Sequence, residues 1–316
     1  MSAFVDFQNV WLAYNDALWA QGQFAVEDLN LQIDEGEFVA IVGPSGCGKS
    51  TFMKLTTGLK QPTKGHITIG GEPVTGPLKI TGMAFQAPSL LPWRTTLDNV
   101  LLPLEIVEPF RASFKAKRKE YAAKARALLE SVGLGGYEDK FPWELSGGMQ
   151  QRASICRALI HEPKMLLLDE PFGALDAFTR EELWCALRDL QAVQKFNVIL
   201  VTHDLPLVTE TCERAAIMYA GEIIEVGTAK DIYKSADHHP YTVGLFHSIP
   251  NLAVDTPRLS PVDGLMPDPT DLPAGCKFHP RCPRCMDICR SQAPVDYATG
   301  EHRIKCHLFK NNGRMM

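Results

Sequence analysis

The sequence predicts an α/β fold built on a buried parallel sheet, and three observations support it. Short apolar runs recur at FVAIVG (38–43), KMLLLDE (164–170) and NVILVTHD (197–204). Each leads into glycine or polar residues, as buried parallel strands do at the carboxyl edge where sites form. Helical patterns lie between them, over roughly 50–58, 111–132, 147–160 and 178–194. A glycine-rich loop, GPSGCGKST (43–51), joins the first of these strands to the first of these helices.

The remaining elements follow in order. HITIGG (66–71) and ITGMAFQ (80–86) read as further strands. The segment from about 88 to 160 is mostly helical and interrupts the strand series, so it reads as an inserted helical subdomain. Its basic stretch, Lys115, Lys117, Arg118 and Lys119, is short and reads as a solvated helix face. The body thus spans 1–235. From 236 to 316 the periodicity fades, and ten of the 22 prolines lie there. This extension cannot build a large core and needs docking or a cross-link to be ordered.

Composition narrows the function. The 316 residues are 45% hydrophobic and 22% charged, the balance of a globular protein, with a net charge of -5. No basic field for nucleic acid is present. No run approaches the roughly 18 to 20 apolar residues that cross a bilayer, and MSAFVDFQNV has neither a basic nor an apolar leader region, so secretion is not expected. Of nine cysteines, Cys276, Cys282, Cys285, Cys289 and Cys306 fall within 31 residues. An odd total without an export signal favours metal binding over a disulfide framework.

The glycine loop carries the first chemistry. Gly43, Gly48, Lys49 and Ser50 satisfy G-x-x-x-x-G-K-[ST]. Such glycines turn backbone N–H groups inward around phosphate oxygens, and the helix N-terminus adds a favourable dipole. Lys49 is placed to reach the β- and γ-phosphates, and the Ser50 hydroxyl to ligate Mg²⁺. In MLLLDEP (165–171), Asp169 ends a buried strand and suits the metal, while Glu170 suits the attacking water. His203 ends the third strand, within reach of a γ-phosphate. LSGGMQQR (145–152) opens another helix with a serine and two glycines, a second anion-binding start. A second phosphate reader makes sense if it serves another copy of the chain.

Over about residues 4–235 the sequence resembles the ATP-binding cassette family, the nucleotide-binding subunits of ABC transporters. The marks are GPSGCGKST, Gln86 of MAFQ, LSGGMQQR, MLLLDEP, ALD (174–176) and THD (202–204), in family order. Met149 stands where the family usually has glutamine. The resemblance implies a P-loop NTPase with a RecA-like core, an antiparallel β subdomain and the helical insertion. It implies that Tyr14, rather than Trp11, stacks on adenine. Gly43, Pro44, Ser45, Gly46, Cys47, Gly48, Lys49, Ser50 and Thr51 would wrap the phosphates of ATP. Ser50, Gln86 and Asp169 would hold Mg²⁺, with Gln86 also sensing the membrane partner. Glu170 would be the general base and His203 the γ-phosphate contact. Ser146, Gly147 and Gly148 would reach the ATP of a second cassette, identical or not, and Asp176 would link the two sites.

One cassette without a membrane span implies separate permease subunits, an extracytoplasmic substrate-binding protein and a peripheral place on the inner face of a bacterial or archaeal membrane. FQAPSLLPWRTTLDNVLLPLEI (85–106) is similar to the importer cassettes for nitrate, sulfonates and taurine, with Leu90, Leu91, Pro92 and Trp93 as a groove for the permease. HHPYTVGLFHSIPNL (238–252) and AGCKFHPRCPRCMDIC (274–289) instead resemble the extension of oligopeptide and dipeptide importer ATPases. That resemblance implies a [4Fe–4S] cluster on Cys276, Cys282, Cys289 and Cys306. Cys285 is additional and forms a C-x2-C pair with Cys282. Zinc, held by four thiolates or with His279 or His307, is the alternative. An export or lipid-extraction ATPase is the rival function.

Overall fold

The computed structural model describes residues 3–173, 175–248, 262–310 and 314–315. Ala174 of the ALD motif and residues 249–252 of the HHPYTVGLFHSIPNL segment lie outside them. The chain forms two compact units, one of residues 1–34, 38–77 and 202–316, the other of 35–37 and 78–201.

The first unit begins with β1 (Val5–Leu12), α1 (Asp16–Ala20), β2 (Val26–Ile33), β3 (Phe38–Val42), α2 (Lys49–Thr56), β4 (Lys64–Ile69) and β5 (Glu72–Pro73). An antiparallel sheet runs β2-β1-β4-β5. Val5, Phe7, Val10 and Leu12 of β1 are buried, and Phe7 stacks on Phe52 of α2 with ring centroids 5.1 Å apart. The alternation slips by one residue at a bulge, where Asn9 takes φ 46°. Gly65 faces that bulge, and a Cβ there would lie 2.1 Å from the Asn9 carbonyl oxygen. All five residues of β3 are buried, as its unbroken apolar run requires.

The second unit holds β6 (Thr81–Ala84), α3 (Thr96–Ile106), α4 (Phe110–Ser131), α5 (Gly147–Leu159), β7 (Met165–Asp169), α6 (Ala177–Gln194) and most of β8 (Asn197–Thr202). The three strands are parallel in the order β8-β7-β6. The expected helices over 111–132, 147–160 and 178–194 form to within one residue of those limits at each end, and Gly147 and Gln194 coincide with them. Helix α5 crosses β6 at Gly82, where a Cβ would sit 2.2 Å from the Ala158 carbonyl oxygen.

The chain then returns to the first unit with α7 (Leu205–Thr211), β9 (Arg214–Tyr219), β10 (Glu222–Thr228), α8 (Ala229–Lys234), α9 (Pro240–His247), α10 (Asp287–Ser291), β11 (Asp296–Thr299), β12 (His302–Lys305) and β13 (Arg314–Met315). Ala220 and Gly221, both at positive φ, turn β9 into β10. Strand β9 runs parallel to β3, and β12 adds antiparallel to β10 with Glu225 opposite Ile304. The order here is β13-β11-β12-β10-β9-β3. The proline-rich extension therefore docks by extending a sheet. A small core of Tyr297, Ile304, Cys306 and Phe309 backs its hairpin. Three buried rings, Tyr219 of β9, Tyr241 of α9 and Phe278, close together at centroid distances of 4.8 to 5.5 Å. Among the described residues, no helix is long and apolar enough to cross a membrane.

Candidate functional site

In the first unit the glycine loop occupies the strand–helix junction expected of it. Gly43 and Cys47 are buried, while Ser45, Gly46 and Ser50 are exposed at the open side. Gly48 precedes α2 with φ 114° and ψ 0°, a left-handed conformation that favours glycine. It gives α2 no side-chain cap. The amides that open α2, from Lys49 to Thr51, thus lack both intrahelical and side-chain acceptors, the arrangement that receives an anion. Lys49 Nζ donates to the carbonyl oxygens of Gly43 (2.7 Å) and Pro44 (2.9 Å), which hold the ammonium over the loop.

The floor of the loop is built by β9. A Cβ on Gly43 would lie 2.4 Å from the Met218 carbonyl oxygen and 2.6 Å from Cys47 Sγ. Gly221 N–H donates to the Cys47 carbonyl at 2.8 Å. Burial raises the Cys47 thiol pKa against the opposing pull of Lys49. Gly43→Ala is therefore expected to overpack the loop at a cost of about 1–3 kcal/mol. Thermal melting and equilibrium binding of an ATP analogue should both report it, with affinity falling roughly tenfold or more.

Tyr14 stands beside this loop. Its hydroxyl lies 2.9 Å from Thr51 Oγ1, the residue is 45% exposed, and Lys60 Nζ sits 5.6 Å from the ring centroid. Trp11 is engaged differently, edge-on to Phe24 at 4.8 Å with Lys64 over its ring. The open aromatic beside the loop is Tyr14. His203 is exposed just beyond β8, next to Thr202, whose carbonyl accepts from Gly43 N–H at 3.4 Å. Asp204 then caps α7 through Leu207 N–H.

In the second unit Asp169 ends β7, opposite Val201 of β8. Glu170 follows at φ 48°, with its N–H donating to the Val201 carbonyl at 2.9 Å. A non-glycine residue held there stores of the order of 1–3 kcal/mol of strain. The turn is kept by that bond and by Gly173 N–H donating to the Glu170 carbonyl. Asp176 caps α6, accepting from Thr179 N–H (3.0 Å) and Thr179 Oγ1 (2.6 Å). Those two bonds lower its carboxyl pKa.

Ser146 caps α5, with Oγ accepting from Met149 N–H at 3.3 Å. Ser146 and Gly147 are exposed. A Cβ on Gly147 would meet nothing within 4 Å, whereas one on Gly148 would lie 2.8 Å from Leu175 Cδ2. A Cβ at Gly148 would thus press on the tip of the Leu175 side chain, which can give way, and one at Gly147 would meet nothing. Helix α5 also reaches the segment that carries Gln86, which is itself exposed after β6. Gln151 Nε2 donates to the Phe85 carbonyl at 3.0 Å. Arg157 donates to the carbonyls of Pro88 (2.7 Å) and Ser89 (2.9 Å). Buried Asn99 fixes the next stretch through the Leu91 amide and carbonyl and the Arg94 and Thr95 carbonyls. Arg157 and Asn99 leave no sequence signal, because a guanidinium or amide that binds backbone carries no motif, and Gln151 lies in LSGGMQQR without its backbone partner being legible there. Of the expected apolar groove, Trp93 (71%) and Pro92 are exposed while Leu90 and Leu91 are half-buried.

The cysteines of the extension gather in the first unit. The thiols of Cys276, Cys282, Cys285, Cys289 and Cys306 gather close enough that each senses the charge of at least one other. Burial is the main cause that pushes Cys276 up to about 12 and Cys306 to about 11. Burial likewise raises the Cys282 thiol. Cys285 Sγ instead donates to the Met286 carbonyl at 3.5 Å. Gly275, at φ 68°, lets the chain approach α10, where a Cβ would lie 2.5 Å from the Cys289 carbonyl. Among the described residues no three cysteine sulfurs lie within 4.8 Å of one another. Four thiolates on one zinc, at about 2.3 Å each, stand closer than that. Thiols are the donor type that a [4Fe–4S] cluster takes.

Comparison with known proteins agrees in two parts. A family model described as "ABC transporter" matches residues 26–173, and one described as "Oligopeptide/dipeptide transporter, C-terminal region" matches 224–289. The aliphatic sulfonates import ATP-binding protein SsuB of Bacillus licheniformis is 44% identical over 65% of this chain and 78% of its own length. The oligopeptide transport ATP-binding protein AppD of Bacillus subtilis is 36% identical over 92% of each chain. Among solved structures, the dimeric cassette MJ0796 in a post-hydrolysis state with ADP and phosphate aligns with a TM-score of 0.60 and 32% identity, over 71% of this chain and 98% of that one.

Proposed function

The chain belongs to the ABC transporter family of ATP-binding cassettes, and on that premise we propose how its residues work and what they help to import. It is an ATP-hydrolysing subunit of an importer. In the reading proposed, the loop amides and Lys49 bind the phosphates, and Tyr14 stacks on the adenine. Ser50, Gln86 and Asp169 would hold Mg²⁺, and the ion would supply charge neutralisation for the transferring phosphoryl group. Glu170 takes the proton from the attacking water, and His203 contacts the γ-phosphate.

Ser146, Gly147 and Gly148 serve a second cassette, with Asp176 between the two sites. The observation that carries this pairing is Gly147, exposed at a helix N-terminus with open space where its Cβ would be. Nothing in the chain's own packing demands a glycine there, whereas close approach by a phosphate from outside does. Separate permease subunits supply the membrane path, at the cytoplasmic face, and Trp93 and Pro92 form part of the surface that meets them. A substrate-binding protein delivers the cargo from the other side.

The cargo class proposed is short peptides. Resemblance to the oligopeptide protein runs through the extension, whereas resemblance to the sulfonate protein covers only 65% of this chain. The greater identity of the sulfonate and taurine proteins over the body favours a second reading, a sulfonated acid. Cys276, Cys282, Cys289 and Cys306 would hold a [4Fe–4S] cluster that cross-links the extension. To decide the cargo, the chain is reconstituted with its permease, and ATPase stimulation by the binding protein is measured. Stimulation with short peptides and none with taurine is expected. The reverse pattern rejects the peptide reading.

A further inference from the structure

Glu225 lies within β10 with its side chain fully buried. Burial pushes its pKa up, but hydrogen bonds from His238, His302 and Thr242 outweigh that and bring it to about 2. One carboxylate oxygen, Oε2, accepts from Thr242 Oγ1 (2.6 Å) and from His239 N–H (2.9 Å). The other, Oε1, faces His238 Nδ1 at 2.7 Å and His302 Nε2 at 2.9 Å. These three atoms lie within 4.8 Å of one another. The histidine side chains are only 9% and 8% exposed.

The donors come from three distant stretches: β10, the entry to α9, and β12. Two imidazole nitrogens and one carboxylate oxygen suit zinc and related divalent ions. Ligating carboxylates are in turn hydrogen-bonded by outer residues, which is how Thr242 and His239 hold Oε2. A buried carboxylate also needs a cation. Among the described residues, the ion-pair partners found for Glu225 are these two histidines. Of the three, His302 also lines a cavity of about 130 Å³ with Asp231, Ser235 and Asp237.

We propose that Glu225, His238 and His302 bind a divalent transition-metal ion, separate from the cysteine cluster, which staples the C-terminal extension to β10. Zinc is the probe. The full chain, loaded with zinc and desalted, is expected to hold about one zinc per chain in this three-ligand site, beyond any iron. Glu225→Gln and His302→Gln should lose that zinc and keep their iron. Thr242→Val should weaken zinc binding about 10- to 100-fold. His302→Gln retains an N–H donor towards Glu225, so hydrogen bonding survives while ligation is lost.

Cobalt in place of zinc gives a reading on the unmutated protein. Ligand-field bands without sulfur-to-cobalt charge transfer are expected. Sulfur charge transfer that disappears in Cys282→Ser would assign the metal to the cysteines and overturn the proposal. So would wild-type protein that holds no more zinc than His302→Gln, since the triad would then be hydrogen-bonded only.

Discussion

Glu170→Gln is expected to slow ATP turnover by about 10²- to 10⁴-fold, the usual contribution of a positioned base, while ATP still binds. The change is nearly isosteric. The left-handed backbone at Glu170 is held by main-chain bonds to Val201 and Gly173, which do not involve the carboxylate. The turn should therefore survive. The phosphate loop and Lys49 are untouched, so the nucleotide is still gripped, and an amide cannot accept the proton of the attacking water. ATP-bound dimer should accumulate and be visible by gel filtration with multi-angle light scattering. Turnover at the wild-type rate would remove Glu170 from the base's role. Loss of ATP binding would instead show that the turn, and not the chemistry, had been damaged.

Cys282→Ser is expected to strip the extension of its iron, whereas Cys285→Ser should spare it. Anaerobically purified wild type should be brown, with iron and sulfide at about four each per chain. The resemblance to the peptide-importer extension implies ligation by Cys282 and leaves Cys285 additional, and Cys285 Sγ faces the Met286 carbonyl at 3.5 Å. Metal binding energy is folding energy for a segment with so small a core, so Cys282→Ser should also lower the melting temperature. Equal loss of iron in both variants would overturn the ligand choice. A colourless protein with one zinc would replace the cluster by a single ion.

Local patterns made much of the body legible. Buried parallel strands appear as unbroken apolar runs because both faces are covered, and β3, β7 and β8 form where FVAIVG, KMLLLDE and NVILVTHD lie. The glycine loop was legible because phosphate binding demands glycines at a set spacing. Strand β1 was less so: its inward Val5 and Phe7 fall out of phase with Val10 across the bulge at Asn9, and a period of two does not survive such a slip.

The order of motifs, read along the chain, was enough to establish an ATP-binding cassette with an importer-type extension, because phosphate chemistry constrains residues that are neighbours in sequence. What the chain order could not decide was how the extension is held. Its strands are short and polar, and they become strands only because β10 offers β12 an open edge. Glu225 looked like any strand residue until folding buried it between histidines 13 and 77 positions away. A charge in a strand is unremarkable in water. Once buried it requires partners, and only the tertiary structure determines who they are.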